Sequence, residues 1–354
     1  MNAFFFKYIK KMKKSLIITS CTNRKRKVRI NGLSQLGEKL SLADIKTTTH
    51  NGLQKYVKNW AKVLTQSLTS THPKVPAGKL YVGRSITEIE KSCMNLSASC
   101  YFISAGLGFI PTERNIPSYD VSFIGKNTDL SKILKHYKTM PSSWWNLLCK
   151  DSPYSDNFET VCSSEKWDYI YLCLPNQYLK LIQPNLEKFD SYTKEKIRIF
   201  SSEEGIRKSV PENMKNNCFE YDEGLNSCEG FSGTRSDFPH RSLAHFSIKI
   251  YKEISPKKST QQLRTDVAKL MSLLEKPTLV GSKENGKRVR KSNEEIKRWI
   301  EKNWQDSEGR CSVLLPRYRK TEGFACEQSR FSKLWRQVKE KKDNHENYNF
   351  FFPE

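Results

Sequence analysis

Four short apolar runs, each ending in small or polar residues, divide the first 254 residues of the chain. Their continuous hydrophobicity is typical of strands buried on both faces of a parallel sheet, and they lie at residues 14–21, 100–104, 168–174 and 196–201. Segments with apolar side chains at helical spacing separate or follow them, at residues 53–68, 85–99, 176–186 and 238–250. This alternation predicts an α/β fold with a mostly parallel, doubly wound sheet.

The pattern changes after residue 254, where amphipathic helices no longer alternate with apolar runs. Helical spacing occurs at residues 260–275, 296–304, 312–319 and 327–341, the last two in a helix-turn-helix-like arrangement. Residues 255–342 contain 23 basic and 11 acidic residues. We therefore expect an α/β catalytic domain at residues 1–254 and an all-helical, basic, nucleic-acid-binding domain at residues 255–354.

Six cations of the second domain are candidate contacts to nucleic acid. A basic helix at a helix-turn-helix position suits phosphate contact or docking in a groove of the duplex. The alternative for any single lysine is an ordinary solvated helix face. The candidates are Arg317, Arg319, Lys320, Arg330, Lys333 and Arg336.

The charge balance favours a polyanionic partner. The chain carries a net charge of +23, from 61 Lys and Arg against 38 Asp and Glu, and an excess of this size usually indicates nucleic acid or an anionic membrane. A role in solubility alone is the alternative. No apolar run approaches the ~20 residues that span a bilayer, and lysines interrupt the first 21 residues, which argues against a signal peptide. We expect a cytoplasmic protein that binds DNA, with translation starting at Met1 or Met12.

The ten cysteines form no C-x-x-C pair, and the six histidines do not cluster near them. Zinc sites normally show such spacing. We therefore expect no metal and no cofactor, and reduced thiols of which several are core residues.

The first candidate site follows the first predicted strand, at Ser20, Cys21, Arg24 and Lys25. In open α/β sheets, ligands bind beyond the carboxyl ends of the strands. Small residues there expose backbone N–H groups, and the two cations add charge for a phosphate. A solvated basic loop is the alternative.

The second candidate site follows the next strand. Ser104, Gly106 and Gly108 form a turn whose glycines let the backbone approach a ligand closely. Tyr119 and Asp120 come shortly afterwards, and a carboxylate at the mouth of a sheet can act as a general base or stabilise an oxocarbenium cation. An aspartate that caps its own turn is the alternative.

The third candidate site is the turn with Thr234 and Arg235, before a helix that contains Arg241. A helix N-terminus with two arginines can hold an anion. His240 and His245 lie on the same helix, where a surface or core role is the alternative.

The order S-C-T-N-R-K at residues 20–25, L-Y-V at 80–82, I-S-A-G-L-G-F-I-P at 103–111 and I-P-S-Y-D at 116–120 resembles a family of uncharacterised prokaryotic and phage domains. Those domains are related to the uracil-DNA-glycosylase-like module that accompanies archaeosine and tRNA-guanine transglycosylases, and bacterial anti-phage DNA glycosylases are similar in general scheme. The resemblance covers residues 13–123 well, residues 167–250 loosely, and the tail not at all.

The resemblance implies a Rossmann-like glycosylase fold with a base-binding pocket at the strand ends. Ser20, Cys21, Arg24 and Lys25 would line that pocket or hold phosphate. Ser104, Gly106 and Gly108 would form the adjacent wall, and Asp120 would be the catalytic carboxylate. The chain lacks the G-Q-D-P-Y motif of ordinary uracil-DNA glycosylases, so uracil is not the expected base.

The predicted function is a DNA glycosylase that cleaves the N-glycosidic bond of a modified base after flipping it from the duplex. The resemblance implies a role in defence against phage. One or two aromatic side chains would stack on the base or wedge the helix, from among Tyr81, Phe109, Tyr119, Trp144 and Trp145. The alternatives are a non-catalytic nucleic-acid-binding regulator and a base-exchanging transglycosylase on DNA or RNA.

Overall fold

The chain divides into two compact units, residues 1–277 and residues 278–354. The structure is a computed structural model, and it describes residues 14–26, 39–45, 52–70, 72–123, 128–251, 259–274, 289–305, 310–320 and 322–351. Within the described residues no helix is long and apolar enough to cross a bilayer.

The described part of the first unit contains strands of very different length. They are β1 (Ser15–Ser20), β2 (Leu40–Ser41), β3 (Lys74–Pro76), β4 (Ala98–Ser104), β5 (Gly108–Pro111), β6 (Asn115–Pro117), β7 (Tyr119–Asp120), β8 (Tyr169–Cys173) and β9 (Ile197–Phe200).

Helices connect these strands. They are α1 (Leu53–Thr69), α2 (Ala77–Leu80), α3 (Arg84–Leu96), α4 (Asp129–His136), α5 (Pro141–Asp151), α6 (Phe158–Ser163), α7 (Asn176–Lys188), α8 (Ser191–Lys196), α9 (Glu203–Ser209), α10 (Phe238–His245) and α11 (Thr260–Leu273). A π-helical turn, Phe246–Ile250, continues α10. Three short 3-10 helices occupy Leu42–Asp44, Glu212–Asn217 and Glu223–Ser227.

A five-stranded sheet in the order β5-β4-β1-β8-β9 forms the centre of this unit. The strands β4, β1, β8 and β9 run parallel, and β5 returns antiparallel to β4. The four parallel strands are the four apolar runs of the sequence, so the predicted α/β class with a mostly parallel sheet is confirmed. All six residues of β1 are buried.

Each face of the sheet has its own core, because neighbouring residues of a strand point to opposite faces. Leu16 and Ile18 of β1 lie in one cluster with side chains of α1, α5 and α7, including Trp60, Trp145 and Leu179. Ile17 lies in the other cluster with side chains of α3, α10 and α11. The sheet is thus covered on both sides, as a doubly wound topology requires.

Helix α11 belongs to the first unit, although its basic surroundings suggest the tail. Its apolar face, Leu263, Val267 and Met271, is buried in the second of the two cores, and Arg264 Nε donates to the carbonyl oxygen of Cys218 at 2.8 Å. The division of the chain therefore follows Pro277, whereas the composition placed it after Ile254.

The second unit has a separate core. It contains β10 (Val289–Arg290), α12 (Asn293–Lys302), α13 (Cys311–Lys320), β11 (Phe324–Ala325) and α14 (Gln328–Phe351), with β10 parallel to β11. Helix α12 begins at a capping box in which Ser292 and Glu295 satisfy each other's backbone N–H groups. The helices meet through Ile296, Ile300, Leu314, Leu315, Tyr318, Phe331, Leu334 and Val338.

Replacing Gly106 by alanine should destabilise the first unit by about 1–3 kcal/mol, since a Cβ would have to displace packed atoms. It would lie 2.7 Å from the Tyr119 ring and 2.9 Å from Cβ of Val121. The measurement is the free energy of unfolding in urea.

Gly78→Ala is the matched control. Its Cβ would lie 3.5 Å from Thr112, an ordinary contact, and alanine in a helix restricts the unfolded chain, so stability should rise by about 0.4–1 kcal/mol. Equal stability changes in the two variants would contradict the packing described at Gly106.

Candidate functional site

The order in which strands join the sheet reverses at β1. The chain adds β4 and β5 on one side of β1, and later adds β8 and β9 on its other side. A ligand site is expected outside the carboxyl ends of the strands at such a reversal. Cys21 directly follows β1, and its Sγ lies 3.5 Å from the hydroxyl of Tyr178 in the first turn of α7. These two buried side chains lie beneath the carboxyl ends of β1 and β8.

The basic loop after β1 is fixed in place by the segment before α3. The amide N–H of Arg26 donates to the carbonyl of Leu80 at 2.8 Å, and that of Val82 donates to the carbonyl of Arg24 at 3.2 Å. The Thr22 hydroxyl donates to the carbonyl of Arg24 at 2.7 Å. The side chains of Arg24 and Arg26 remain exposed. The loop therefore presents basic side chains to solvent from a backbone that hydrogen bonds fix in place.

Lys25 belongs to this loop, and its side chain reaches the ring of Tyr119 on β7. Its Nζ is 4.3 Å from the centroid of the Tyr119 ring, within the range of a cation–π contact. Burial lowers the pKa of Lys25, charge interactions with Cys21 and Asp120 counteract that effect, and Lys39 adds to it. The side chain is half-buried, whereas Asp120 is exposed.

Asp120 is held at the edge by strand pairing. β7 pairs in parallel with β2, with Ser41 opposite Asp120, and the Leu40 amide donates to the carbonyl of Ser118 at 3.0 Å. The arrangement thus presents an exposed carboxylate on β7, on the residue after Tyr119, whose ring the half-buried Lys25 amine contacts.

A row of hydroxyl groups lies beneath Lys25. The Tyr119 hydroxyl is 2.6 Å from the Tyr81 hydroxyl and 2.6 Å from Ser104 Oγ. Ser104 Oγ also accepts from the amides of Gly106 and Leu107, at 3.2 and 3.1 Å. Burial raises the pKa of Tyr81 and of Tyr119 well above the ordinary range, so both phenols stay protonated as neutral hydrogen-bonding groups.

The predicted glycine wall lies in the core. Ser104, Gly106 and Gly108 are all buried, the indole of Trp60 donates to the Gly106 carbonyl at 2.7 Å, and that of Trp144 donates to the Ala105 carbonyl at 2.9 Å. The backbone of this turn is therefore covered by protein and supports the site from below. Ser20 is buried as well.

The third predicted site is a structural clamp at Arg241, whose side chain is only 1% exposed. Its guanidinium binds Asp237 Oδ1 at 2.8 Å, Asn226 Oδ1 at 3.0 Å, the Thr234 carbonyl at 2.9 Å and the Phe231 carbonyl. Because these partners engage it from several sides, we correct the prediction that Arg241 holds an anion. Thr234 and Arg235 remain exposed.

His240 and His245 are core residues. His240 Nε2 lies 3.0 Å from Thr19 Oγ1 on β1, and His245 Nδ1 lies 3.0 Å from the hydroxyl of Tyr221. Burial lowers the pKa of each imidazole to about 4, so both are neutral near pH 7.

The aromatic side chains considered for stacking on a base are also in the core. Tyr81, Phe109, Tyr119, Trp144 and Trp145 are each no more than 1% exposed. In this conformation none of the five presents a free ring face to a flipped base.

The cations of the second unit differ in how far they are free to bind. Arg319 donates from Nε and Nη2 to the Cys326 carbonyl at 2.9 and 2.6 Å. Arg330 donates to Asn293 Oδ1 and to the Lys291 carbonyl, both at 2.9 Å. Both arginines thus help to hold loops.

Two further cations, Lys333 and Arg336, are exposed, and Arg317 is half-buried. The side chain of Lys320 lies outside the described residues. A groove of about 560 Å³ between α12 and α14 has three cations on its walls, and it is lined by Asn293, Lys297, Ser329, Arg330, Lys333, Leu334 and Gln337.

Three residues of these sites were not anticipated: Tyr178, Lys39 and Lys297. Tyr178 has a signal in the sequence, because it is the third residue of the helix that follows the third parallel strand, and the strand-end rule applies there too. Lys39 and Lys297 have no such signal in the sequence. The pairing of β2 with β7 brings Lys39 to its site, and the contact between α12 and α14 brings Lys297 to the groove.

Among the described residues, no group of three or more His, Cys, Asp or Glu side chains is arranged to hold a metal ion. All ten cysteines are free thiols.

No protein-family model, no curated protein and no solved structure matches this chain. Its assignment therefore depends on the geometry of the strand ends and on the distribution of charge.

Arg241→Met should destabilise the first unit by about 3–5 kcal/mol, because it removes the closer of the two cations that pair with the buried Asp237 carboxylate, at 2.8 Å, and leaves only Arg84 at 4.0 Å. The readout is the urea midpoint at pH 7. Arg235→Met, an exposed arginine of the same turn, should change stability by no more than about 0.5 kcal/mol. A stable Arg241→Met protein would mean that the clamp contributes little.

Proposed function

We propose that this protein is a DNA glycosylase, which cleaves the N-glycosidic bond of a modified base, with Asp120 as the catalytic carboxylate. The observation that carries the proposal is the position of Asp120. Its exposed carboxylate lies on β7, on the residue after Tyr119, whose hydroxyl contacts Ser104 at the end of β4 and whose ring contacts the Lys25 amine in the loop after β1. The carboxyl ends of the parallel strands are where doubly wound sheets bind their ligands.

The chemistry needs few groups. As the base leaves, positive charge develops on the sugar, and a fixed carboxylate stabilises that charge. The same carboxylate can orient and deprotonate the attacking water. The base must first leave the duplex, so a protein that does this also needs a surface that grips the backbone.

The part of the sequence that contains β1 is rich in basic residues. Residues 1–39 contain eleven basic residues against the single acidic Glu38, whereas residues 278–354 contain 18 basic and 12 acidic residues. The basic excess is thus most concentrated in the stretch that contains β1 and the loop after it. Exposed Arg24, Arg26 and Lys39 are suited to the phosphates on either side of a flipped nucleotide.

The resemblance to the uracil-DNA-glycosylase-like module is a second support. Its motifs at residues 20–25 and 116–120 occur here at two neighbouring positions of the fold, next to the contact between Lys25 and Tyr119. A role in defence against phage, with hypermodified phage DNA as the substrate, depends on that resemblance alone. Base exchange instead of hydrolysis would use the same carboxylate and needs an incoming base.

A non-catalytic nucleic-acid-binding regulator is the second candidate. The observation in its favour is the groove between α12 and α14, with Lys297, Arg330 and Lys333 on its walls. Under that function the groove carries the activity, and Asp120 has no part in it.

Asp120→Asn should lower base release from susceptible DNA by about 10²- to 10⁴-fold, since the amide cannot act as a base or stabilise the cation in the same way. The assay incubates the protein with unmodified DNA and with hypermodified phage DNA, then treats each with alkali and detects strand breaks and free base. Asp129→Asn, an exposed aspartate on α4, is the matched control and should be fully active. Full activity of Asp120→Asn would refute its assigned role.

Lys297→Ala and Lys333→Ala should each weaken binding to duplex DNA at every sequence. Each should also lower the slope of log K against log salt by about 0.9, if each lysine neutralises one phosphate. Fluorescence anisotropy across a salt series measures both quantities. Lys339→Ala on α14 is the control and should keep the slope of the unaltered protein. Unchanged slopes in all three variants would exclude the groove as the DNA surface.

A further inference from the structure

Two tryptophans of the second unit lie side by side. Trp304 follows the end of α12 and Trp335 lies on α14, and their ring centroids are 6.2 Å apart with an angle of 17° between the ring planes. Offset stacking of this kind is a favourable arrangement of aromatic rings. Both indoles are half-buried at the edge of the core of this unit, so each keeps part of its surface open to solvent.

A lysine lies over each of these indoles. Lys339 Nζ is 5.7 Å from the centroid of the Trp335 ring, and Lys342 Nζ is 5.7 Å from that of Trp304, both within the range of a cation–π contact. Neither lysine forms an ion pair with a described acidic residue, whereas the adjacent Lys341 pairs with Glu301 at 3.6 Å. Two positive charges thus accompany the aromatic surface, and no carboxylate in the described part of the chain neutralises them.

The indole pair is separate from the groove between α12 and α14. Trp335, Lys339 and Lys342 are spaced by four and three residues, so they share one side of α14. Lys333 lines the groove and comes two residues before Trp335. With about 3.6 residues per turn, it points to nearly the opposite side of the helix. The groove and the indole pair can therefore bind different ligands.

Aromatic surface with adjacent cations is the combination by which proteins hold single-stranded nucleic acid without reading its sequence. An unpaired base presents a flat face that stacks on an indole, whereas in a duplex the neighbouring base pairs cover that face. A lysine side chain is flexible, so its amine can turn from the ring to a phosphate of the same strand. A single strand thus supplies both a ring for the indole and an anion for the lysine.

We infer that Trp304, Trp335, Lys339 and Lys342 form a binding site for single-stranded nucleic acid, in which bases stack on the indoles and phosphates contact the lysines. DNA and RNA share this chemistry. The inference does not depend on the proposed glycosylase function, and it assigns the tail unit a second surface beside the groove.

The test compares single strands with a duplex on the full-length protein. A labelled oligothymidylate, an oligouridylate of the same length and a mixed-sequence DNA duplex are each titrated, and fluorescence anisotropy gives Kd across a salt series. Tryptophan fluorescence is recorded in parallel, because a base stacked on an indole quenches its emission. We expect the single strands to bind and to quench, and the tighter of the two distinguishes DNA from RNA as the partner.

Trp335→Leu and Trp335→Phe form a matched pair of variants. Leucine keeps apolar packing against the core but has no ring face, so Kd for the single strand should rise by about 5- to 150-fold, and the quenching should decrease. Phenylalanine keeps a ring face and should retain most of the affinity. Kd for the duplex should be the same in both variants. Thermal unfolding of each variant checks that the fold persists.

Lys339→Ala and Lys342→Ala should each lower the slope of log K against log salt for the single strand by about 0.7, if each lysine neutralises one phosphate. The slope for the duplex should not change, because paired bases do not stack on the indoles. Lys166→Ala is the matched control. Lys166 Nζ also lies over an indole, 4.4 Å from the centroid of Trp167, but that ring is buried, so this variant should keep the slope of the unaltered protein.

Single strands that bind without quenching, or equal losses of affinity in Trp335→Leu and Trp335→Phe, would overturn the inference. A parallel loss of affinity for the duplex would overturn it as well, because stacking requires unpaired bases. Tight binding of the single strand that Trp335→Leu leaves unchanged would place the strand elsewhere on the protein. None of these measurements involves base release, so the glycosylase proposal is tested separately by the Asp120→Asn assay.

Discussion

The buried phenol of Tyr119 joins the core of the first unit to the surface of its candidate site. Its hydroxyl contacts Ser104 and Tyr81, and its ring covers Gly106 so closely that no Cβ fits there. The ring also contacts the Lys25 amine. A buried hydroxyl has to be hydrogen-bonded, and these bonds fix the ring, and with it the next residue, Asp120.

The parallel sheet could be predicted from the sequence because burial on both faces leaves a continuous apolar run in each strand. The position of Lys25 beyond the carboxyl end of β1 could be predicted too, since it follows that strand closely in the chain. The sequence does not show how deeply each of these residues is buried. The glycine turn at residues 104–108 has the composition of an open loop, and only the contacts of Trp60 and Trp144 with its carbonyls place it in the core.

The positions of charged residues in the sequence were likewise a poor guide to which of them are exposed, because contacts distant in sequence decide burial. Arg241 has the sequence context of an anion site, but its guanidinium serves the carbonyls and carboxylate of its own turn. Arg319 and Arg330 likewise donate to backbone carbonyls. Helix α11 was assigned to the tail by its basic neighbours, whereas its apolar face determines where it packs. Partners distant in sequence decide each of these cases, and no local pattern encodes them.

The pairing of β1 has a consequence for the order in which the protein can fold. β1 ends at Ser20, but its two sheet partners end much later in the chain, at Ser104 and Cys173. A ribosome adds about 5–20 residues per second, so this fully buried strand waits for several seconds before its second edge is paired. Such late, long-range pairing slows folding, and the lysines that surround the strand on both sides act as gatekeepers that discourage association of nascent chains.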